Sequence, residues 1–132
     1  MNSFIDTNIC IYAFDNSDVR KQEIALNLFK ECPVVSSQVC IETVLVLRKK
    51  LKFSADICDN FLLNLLSITD FRAITSNMMR LGIDLKSKYG FSFLDSLIVS
   101  FAVLSDCNIL YSEDMQHNLK VENRTTIINP FL

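Results

Sequence analysis

The run FSFLDSLIVSFAVLSDCNILYSEDMQ, residues 91–116, decides the fold. Its first part, 92–105, is almost wholly apolar and follows Gly90, a natural helix stop, so it predicts a new, deeply buried helix. Its second part, 108–111, is a short apolar stretch that predicts a strand. That strand runs straight into the acidic segment Tyr111-Ser112-Glu113-Asp114. A buried helix feeding a buried strand that ends in acids is the pattern of a parallel sheet with chemistry at its carboxyl edge.

Outward from this run the same alternation holds. Strands are expected at 2–6, 33–36, 71–74 and 125–128. Helices are expected at 7–14, 18–31, 38–51, 55–67 and 76–89. The fold class is therefore α/β: a central, mostly parallel sheet flanked by helices. Repeats, low-complexity tracts and Ser/Gly linkers are absent, so residues 1–132 read as one single domain. Only 2 Gly and 2 Pro among 132 residues argue against a turn-rich all-β chain and against disorder.

Charge excludes further classes. Thirteen basic and 15 acidic residues give a net charge of −2, unlike a basic protein that coats nucleic acid. No apolar run approaches the roughly 20 residues of a membrane span, and residues 1–14 lack the basic region of a signal peptide. The five cysteines at 10, 32, 40, 58 and 107 show no CxxC spacing. With a single histidine, they read as free, mostly buried thiols of a cytoplasmic protein.

The most informative feature is where charge is missing. From Met1 to Phe14 the only charged residue is Asp6. Between Glu31 and Arg48 it is Glu42, and between Lys88 and Asp106 it is Asp95. A lone carboxylate in an apolar segment is costly unless it finds a partner. Asp114 follows the strand at 108–111 much as Asp6 ends the first strand. Two carboxylates about 4 Å apart repel by about 4 kcal/mol at an effective dielectric of 20, so four gathered together call for a cation. Hard carboxylate oxygens suit Mg²⁺ or Mn²⁺. Local roles compete for three of them. Asp6 suits the N-cap of the helix at Thr7, Asp95 stands three residues after Ser92 as in a capping box, and Asp114 suits a turn. Glu42 has no such role, because the residue three before it is Val39.

These pieces together are similar to the PIN-domain ribonucleases, and among them the VapC toxins of toxin–antitoxin pairs. The matching stretches are FIDTN at 4–8, QVCIETVLVL at 38–47, the run at 91–116 and INPF at 128–131. The resemblance implies a PIN-like fold and a Mg²⁺- or Mn²⁺-dependent endoribonuclease. Its acids carry over as Asp6, Glu42, Asp95 and Asp114, with Asn8 and Ser112 as polar neighbours. It also implies a homodimer or toxin–antitoxin hetero-oligomer and inhibition by a VapB-like antitoxin. The implied substrate is structured RNA (tRNA or rRNA) cut at few sites. The chain departs from the family at Leu94, where an aromatic residue is common, and at Asn118, where glycine is common.

Arg48, Lys49, Lys50 and Lys52 are candidates to hold an RNA backbone, as are Arg20 and Lys21, although such clusters also serve as solvated helix faces. His117 is a minor candidate for a general base. Competing readings are a structure-specific DNA nuclease and a non-catalytic RNA-binding or interaction module on the same fold. A response-regulator domain is disfavoured: Asp6 has no acidic neighbour, and acids instead of a lysine follow the strand at 108–111.

Overall fold

The computed structural model describes residues 2–132. Along the chain come β1 (Asn2–Ile5), α1 (Thr7–Phe14), α2 (Val19–Leu28), β2 (Val34–Ser36), α3 (Ser37–Lys49), α4 (Ala55–Ile68) and β3 (Asp70–Arg72). Then follow α5 (Ser76–Tyr89), α6 (Phe93–Leu104), β4 (Cys107–Tyr111), β5 (Lys120–Val121) and β6 (Thr125–Ile128). The strands form one sheet in the order β3-β2-β1-β4-β6-β5, parallel throughout except where β5 meets β6. The α/β expectation holds.

Two details differ from the sequence reading. The third strand lies at Asp70–Arg72, slightly earlier than 71–74, because its register against β2 pairs Val34 with Asp70 and Ser36 with Arg72. The two-residue β5 was not anticipated. It is too short to show an alternating pattern, and Glu122 and Asn123 both adopt positive φ in the turn that leads from it to β6. Asn118, where glycine is common in the family, also has φ +69°, a conformation asparagine tolerates better than most residues.

Local signals start and stop the helices. Asp6, Asp18, Ser36, Ser54, Thr75 and Ser92 each cap a helix N-terminus through a side-chain oxygen. Gly90 ends α5 at φ +79°, where a side chain would be strained. The core is built around α6, in which every residue from Ser96 to Val103 is buried. The Phe101 ring lies 5.3 Å from that of Phe4 on β1. Phe4, Ile5, Val35, Leu110 and Ile127 supply fully buried strand side chains. Four of the five cysteines are buried and all are free, as expected. Among the described residues no single helix is long and apolar enough to cross a membrane.

Helix α5 packs on α6, which carries Asp95. Gly82 makes this approach close: a Cβ there would lie 2.9 Å from Leu97 Cδ2 and 3.5 Å from Ser96 Oγ. The nearest obstacle is the end of a flexible leucine, and alanine gains about 1 kcal/mol of helix propensity over glycine. Gly82→Ala is therefore expected to change stability by less than about 1 kcal/mol. Gly82→Leu is expected to cost about 1–3 kcal/mol by overpacking. Urea unfolding of the two variants checks the contrast.

The strand order places the chemistry. From β1 the chain builds outward through β2 to β3, then returns to lay β4 against the other side of β1. The crevice at the carboxyl ends of β1 and β4 is thus the topological switch point, where such sheets bind ligands.

Candidate active site

Asp6 follows β1, and Ser112 and Asp114 follow β4, so sheet order alone brings residues 106 apart in sequence to one crevice. Helices α3 and α6 add Glu42 and Asp95. The resulting cleft of about 460 Å³ is lined by all four acids, with Thr7, Asn8, Tyr12, Asp15, Lys50 and Glu113 among its other walls. The four sequence-nominated acids are therefore brought together, but to different depths. Asp6 is buried at 6 % exposure, Glu42 and Asp95 are half-buried, and Asp114 is exposed.

Three of the acids, Asp6, Glu42 and Asp114, are oriented by neutral donors. Asp6 Oδ1 accepts the Thr7 N–H at 2.7 Å, while its Oδ2 accepts the Ser112 hydroxyl at 2.8 Å. The capping role and the site role thus coexist, one oxygen to each. Glu42 accepts from the Thr7 hydroxyl and from Gln38 Nε2, each at 2.9 Å. Gln38 also reaches the Leu94 carbonyl at 3.2 Å and so ties α3 to the start of α6. Asp114 accepts from Asn8 Nδ2 at 3.1 Å, and its own N–H donates to Ser112 Oγ at 3.3 Å. At Asp95 half of a capping box is present, with its N–H on Ser92 Oγ at 3.2 Å. Asn8 and Ser112 sit beside the acids, as the resemblance implied. Thr7, Gln38, Tyr12 and Glu113 were not anticipated. Gln38 had a signal, its i,i+4 spacing to Glu42 on one helix face.

The electrostatics record the crowding. Burial pushes Asp6 up to about 6. Ser112 and Thr7 pull it down, while the charges of Asp95 and Glu42 add to the rise. Burial also raises Asp95, opposed by Ser92 and reinforced by Asp114 and Glu42. None of the four is ion-paired among the described residues. An all-carboxylate donor set under mutual repulsion suits a hard divalent cation. As oriented, no three His, Cys, Asp or Glu side chains among the described residues converge closely enough to hold one ion. The oxygens of Asp6, Glu42 and Asp114 turn instead to the neutral donors named above, so ligation by three of the four acids requires side-chain rotation.

The basic candidates separate. Lys50 lines the cleft, whereas Arg48, Lys49 and Lys52 do not. Arg48 donates to the Phe53 carbonyl at 3.0 Å and so holds the loop after α3. Arg20 donates to the Phe131 carbonyl at 2.6 Å, and Lys21 is paired with Glu113. His117 is not a cleft residue; its Nδ1 accepts the Asn129 N–H at 2.9 Å, a structural bond.

Comparison with known proteins agrees with this architecture. No curated protein matches the sequence. Among solved structures, the chain is similar to the Mycobacterium tuberculosis toxin VapC20, which cleaves the sarcin-ricin loop. The TM-score is 0.70 at 16 % identity, over 86 % of this chain and 90 % of that one. A toxin–antitoxin complex from Klebsiella pneumoniae matches with TM-score 0.73 at 17 % identity, over 98 % of each chain. VapBC2 from Rickettsia felis, bound to a DNA fragment from its promoter, matches with TM-score 0.71 at 20 % identity, over 96 % and 97 %. At such identities the likeness is one of fold. The PIN domain model matches residues 3–120, nearly the whole chain and every acid of the cleft, so the chain belongs to the PIN-domain family.

Proposed function

We propose that this protein is a VapC-like toxin, a Mg²⁺- or Mn²⁺-dependent endoribonuclease that cleaves structured RNA (tRNA or rRNA) at few sites. The observation that carries the reading is the gathering of Asp6, Glu42, Asp95 and Asp114 from four separate segments, without an ion-pair partner among the described residues, at the switch point of the sheet. Asp6, Glu42, Asp95 and Asp114 would hold the ion. When bound, it supplies Lewis-acid stabilisation of the phosphate and lowers the pKa of water.

The chain's own groups do the rest. Thr7, Ser112, Gln38 and Asn8 hold carboxylate oxygens of Asp6, Glu42 and Asp114 in the orientations described, and those side chains would turn from these donors to hold an ion. Lys50 is the single lysine or arginine lining the cleft among the described residues, and it meets the RNA backbone at the rim. Removing it is expected to reduce the salt slope of RNA binding by about one phosphate contact. An unchanged slope in Lys50→Ala, measured by filter binding across a salt series, would remove Lys50 from the interface.

The neighbouring proteins also motivate a partner. An apolar depression of about 340 Å³, formed by Ile41, Ile74, Leu94 and Leu97, borders Glu42. An amphipathic helix of a VapB-like antitoxin fits such a surface. In this reading the protein is cytoplasmic and assembles as a homodimer, or as a toxin–antitoxin hetero-oligomer in which the antitoxin inhibits it.

Calorimetry with Mn²⁺ tests the central claim without knowledge of the RNA. Partner-free wild type is expected to bind, and Asp95→Asn, which removes one of the carboxylates that would hold the ion, to lose that binding. A folded wild type that binds no Mn²⁺ would shift weight to a non-catalytic interaction module.

A further inference from the structure

Glu113 lines the cleft yet differs from the four acids, because each of its carboxylate oxygens already has a strong donor. Tyr12 on α1 donates its hydroxyl to Oε1 at 2.6 Å, and Lys21 on α2 donates to Oε2 at 2.5 Å. Lys21 also reaches the Tyr12 oxygen at 3.2 Å. A carboxylate so saturated and charge-compensated is poorly suited to ligate a metal.

Its backbone, however, is linked to Asp114. The Glu113 N–H donates to Asn8 Oδ1 at 3.3 Å, and the same Asn8 amide donates its Nδ2 hydrogen to Asp114. Asp114 is exposed, so core packing does not fix it. Its position depends on these polar links and on the segment from which it hangs.

The donors to Glu113 are seated in turn. The Tyr12 ring meets Phe131 edge-on, with centroids 5.0 Å apart at 70°. The Lys21 ammonium lies 4.8 Å from the Tyr12 ring centre and 5.4 Å from that of Phe131. Phe131 is buried, its carbonyl is held by Arg20 at 2.6 Å, and its N–H is held by Asn129 Oδ1 at 3.0 Å. The INPF stretch at 128–131 thereby gains a physical role as the seat beneath Tyr12 and Lys21.

We propose that Glu113 is a positioning residue: clamped by Tyr12 and Lys21 on a seat formed by Phe131, it fixes Asn8 and Asp114 at the mouth of the acidic cleft. The inference deepens the metal-site reading and rests on it for its consequence, but the positioning itself can be observed without metal.

The test uses the full chain and the variants Tyr12→Phe, Glu113→Gln and Lys21→Arg. Tyr12→Phe keeps the ring contact and removes only the hydroxyl. In metal-free protein, amide hydrogen exchange at Glu113 and Asp114 is expected to rise about tenfold in Tyr12→Phe and Glu113→Gln, with core amides of β1 and β4 unchanged. Lys21→Arg, which keeps a cationic donor, is expected to stay near wild type. With Mn²⁺ as probe, Tyr12→Phe is expected to weaken binding about tenfold, and to add no further loss in an Asp114→Asn background.

Unchanged exchange at Glu113 and Asp114, or exchange that rises equally throughout the chain, would overturn the proposal. Additive losses of Mn²⁺ affinity would overturn it as well. The local exchange effect in the variants, together with a wild type that binds no Mn²⁺, would support the positioning and defeat the metal reading, so the two failures are separable.

Discussion

Asp6→Asn is expected to make the metal-free protein more stable at neutral pH while destroying its site. Asp6 has a pKa of about 6 in the folded chain, raised from 3.8 chiefly by burial. The folded state therefore binds the proton more tightly than the unfolded chain. The stability that this preference contributes is fully present below the ordinary pKa near 4 and is lost as pH rises through about 6. A two-unit shift corresponds to about 3 kcal/mol at most. Asparagine keeps an acceptor for the Thr7 N–H and carries no charge to desolvate. The variant is expected to exceed wild type by about 1–3 kcal/mol at pH 7.5, with the difference vanishing near pH 4. Urea unfolding at both pH values, without divalent ions, measures this. Parallel stabilities at the two pH values would show that the buried charge is not the cause. Added Mn²⁺ is expected to raise the Tm of wild type and leave that of the variant unmoved. Such an inverse relation between stability and activity is characteristic of a strained functional site.

Cleavage of structured RNA is expected to fall by about a thousandfold or more on chelation with EDTA, and similarly in Glu42→Gln. Losing the main source of charge stabilisation in a phosphoryl-transfer site has effects of this order. Glu42 is the informative acid because glutamine has nearly its shape. Gln38 at 2.9 Å can donate to the glutamine carbonyl while the Thr7 hydroxyl, also at 2.9 Å, turns to accept from its amide, so the side chain stays held and the loss reports charge and not misfolding. The assay uses intact tRNA and ribosomal RNA hairpins beside DNA strands of matched sequence. Selective RNA cleavage that EDTA abolishes and Mn²⁺ restores is the expected result. Preferential DNA cleavage would favour the structure-specific DNA nuclease, and EDTA-resistant cleavage would remove the metal from the mechanism.

Much of this site is legible in one sequence because charge isolation is a local signal. A single carboxylate in a long apolar run must be buried, capped or placed at an edge, and Glu42 shows the logic most clearly because Val39 denies it a cap. The strand at 108–111 points to Asp114 for a similar reason: acids directly after a short apolar strand fall at the sheet's carboxyl edge. Glu113 sits in the same acidic segment, and apart from the family resemblance no local signal separates its role from that of Asp114. The structure does, by giving Glu113 a lysine and a tyrosine and giving Asp114 an amide. The basic run at the end of α3 behaves likewise. Four cations within five residues look equivalent in sequence, and of these the structure leaves Lys50 alone on the cleft, with Lys52 in the following turn at φ +64°.

The sequence by itself determined the order of helices and strands apart from β5, the mostly parallel α/β class and the isolation of Asp6, Glu42 and Asp95 in apolar runs. Those follow from apolar periodicity, caps and missing charges, all of which act over a few residues, whereas the likeness to the PIN family rests on motifs such as FIDTN at 4–8. Only the tertiary structure decided which donor meets which oxygen. Thr7 reaches Glu42 across 35 residues, Lys21 reaches Glu113 across 92, and Asn8 reaches Asp114 across 106. Contacts at such separations exist only once β4 has been laid beside β1, and that pairing is fixed by burial of the whole core around α6, not by any single stretch of chain.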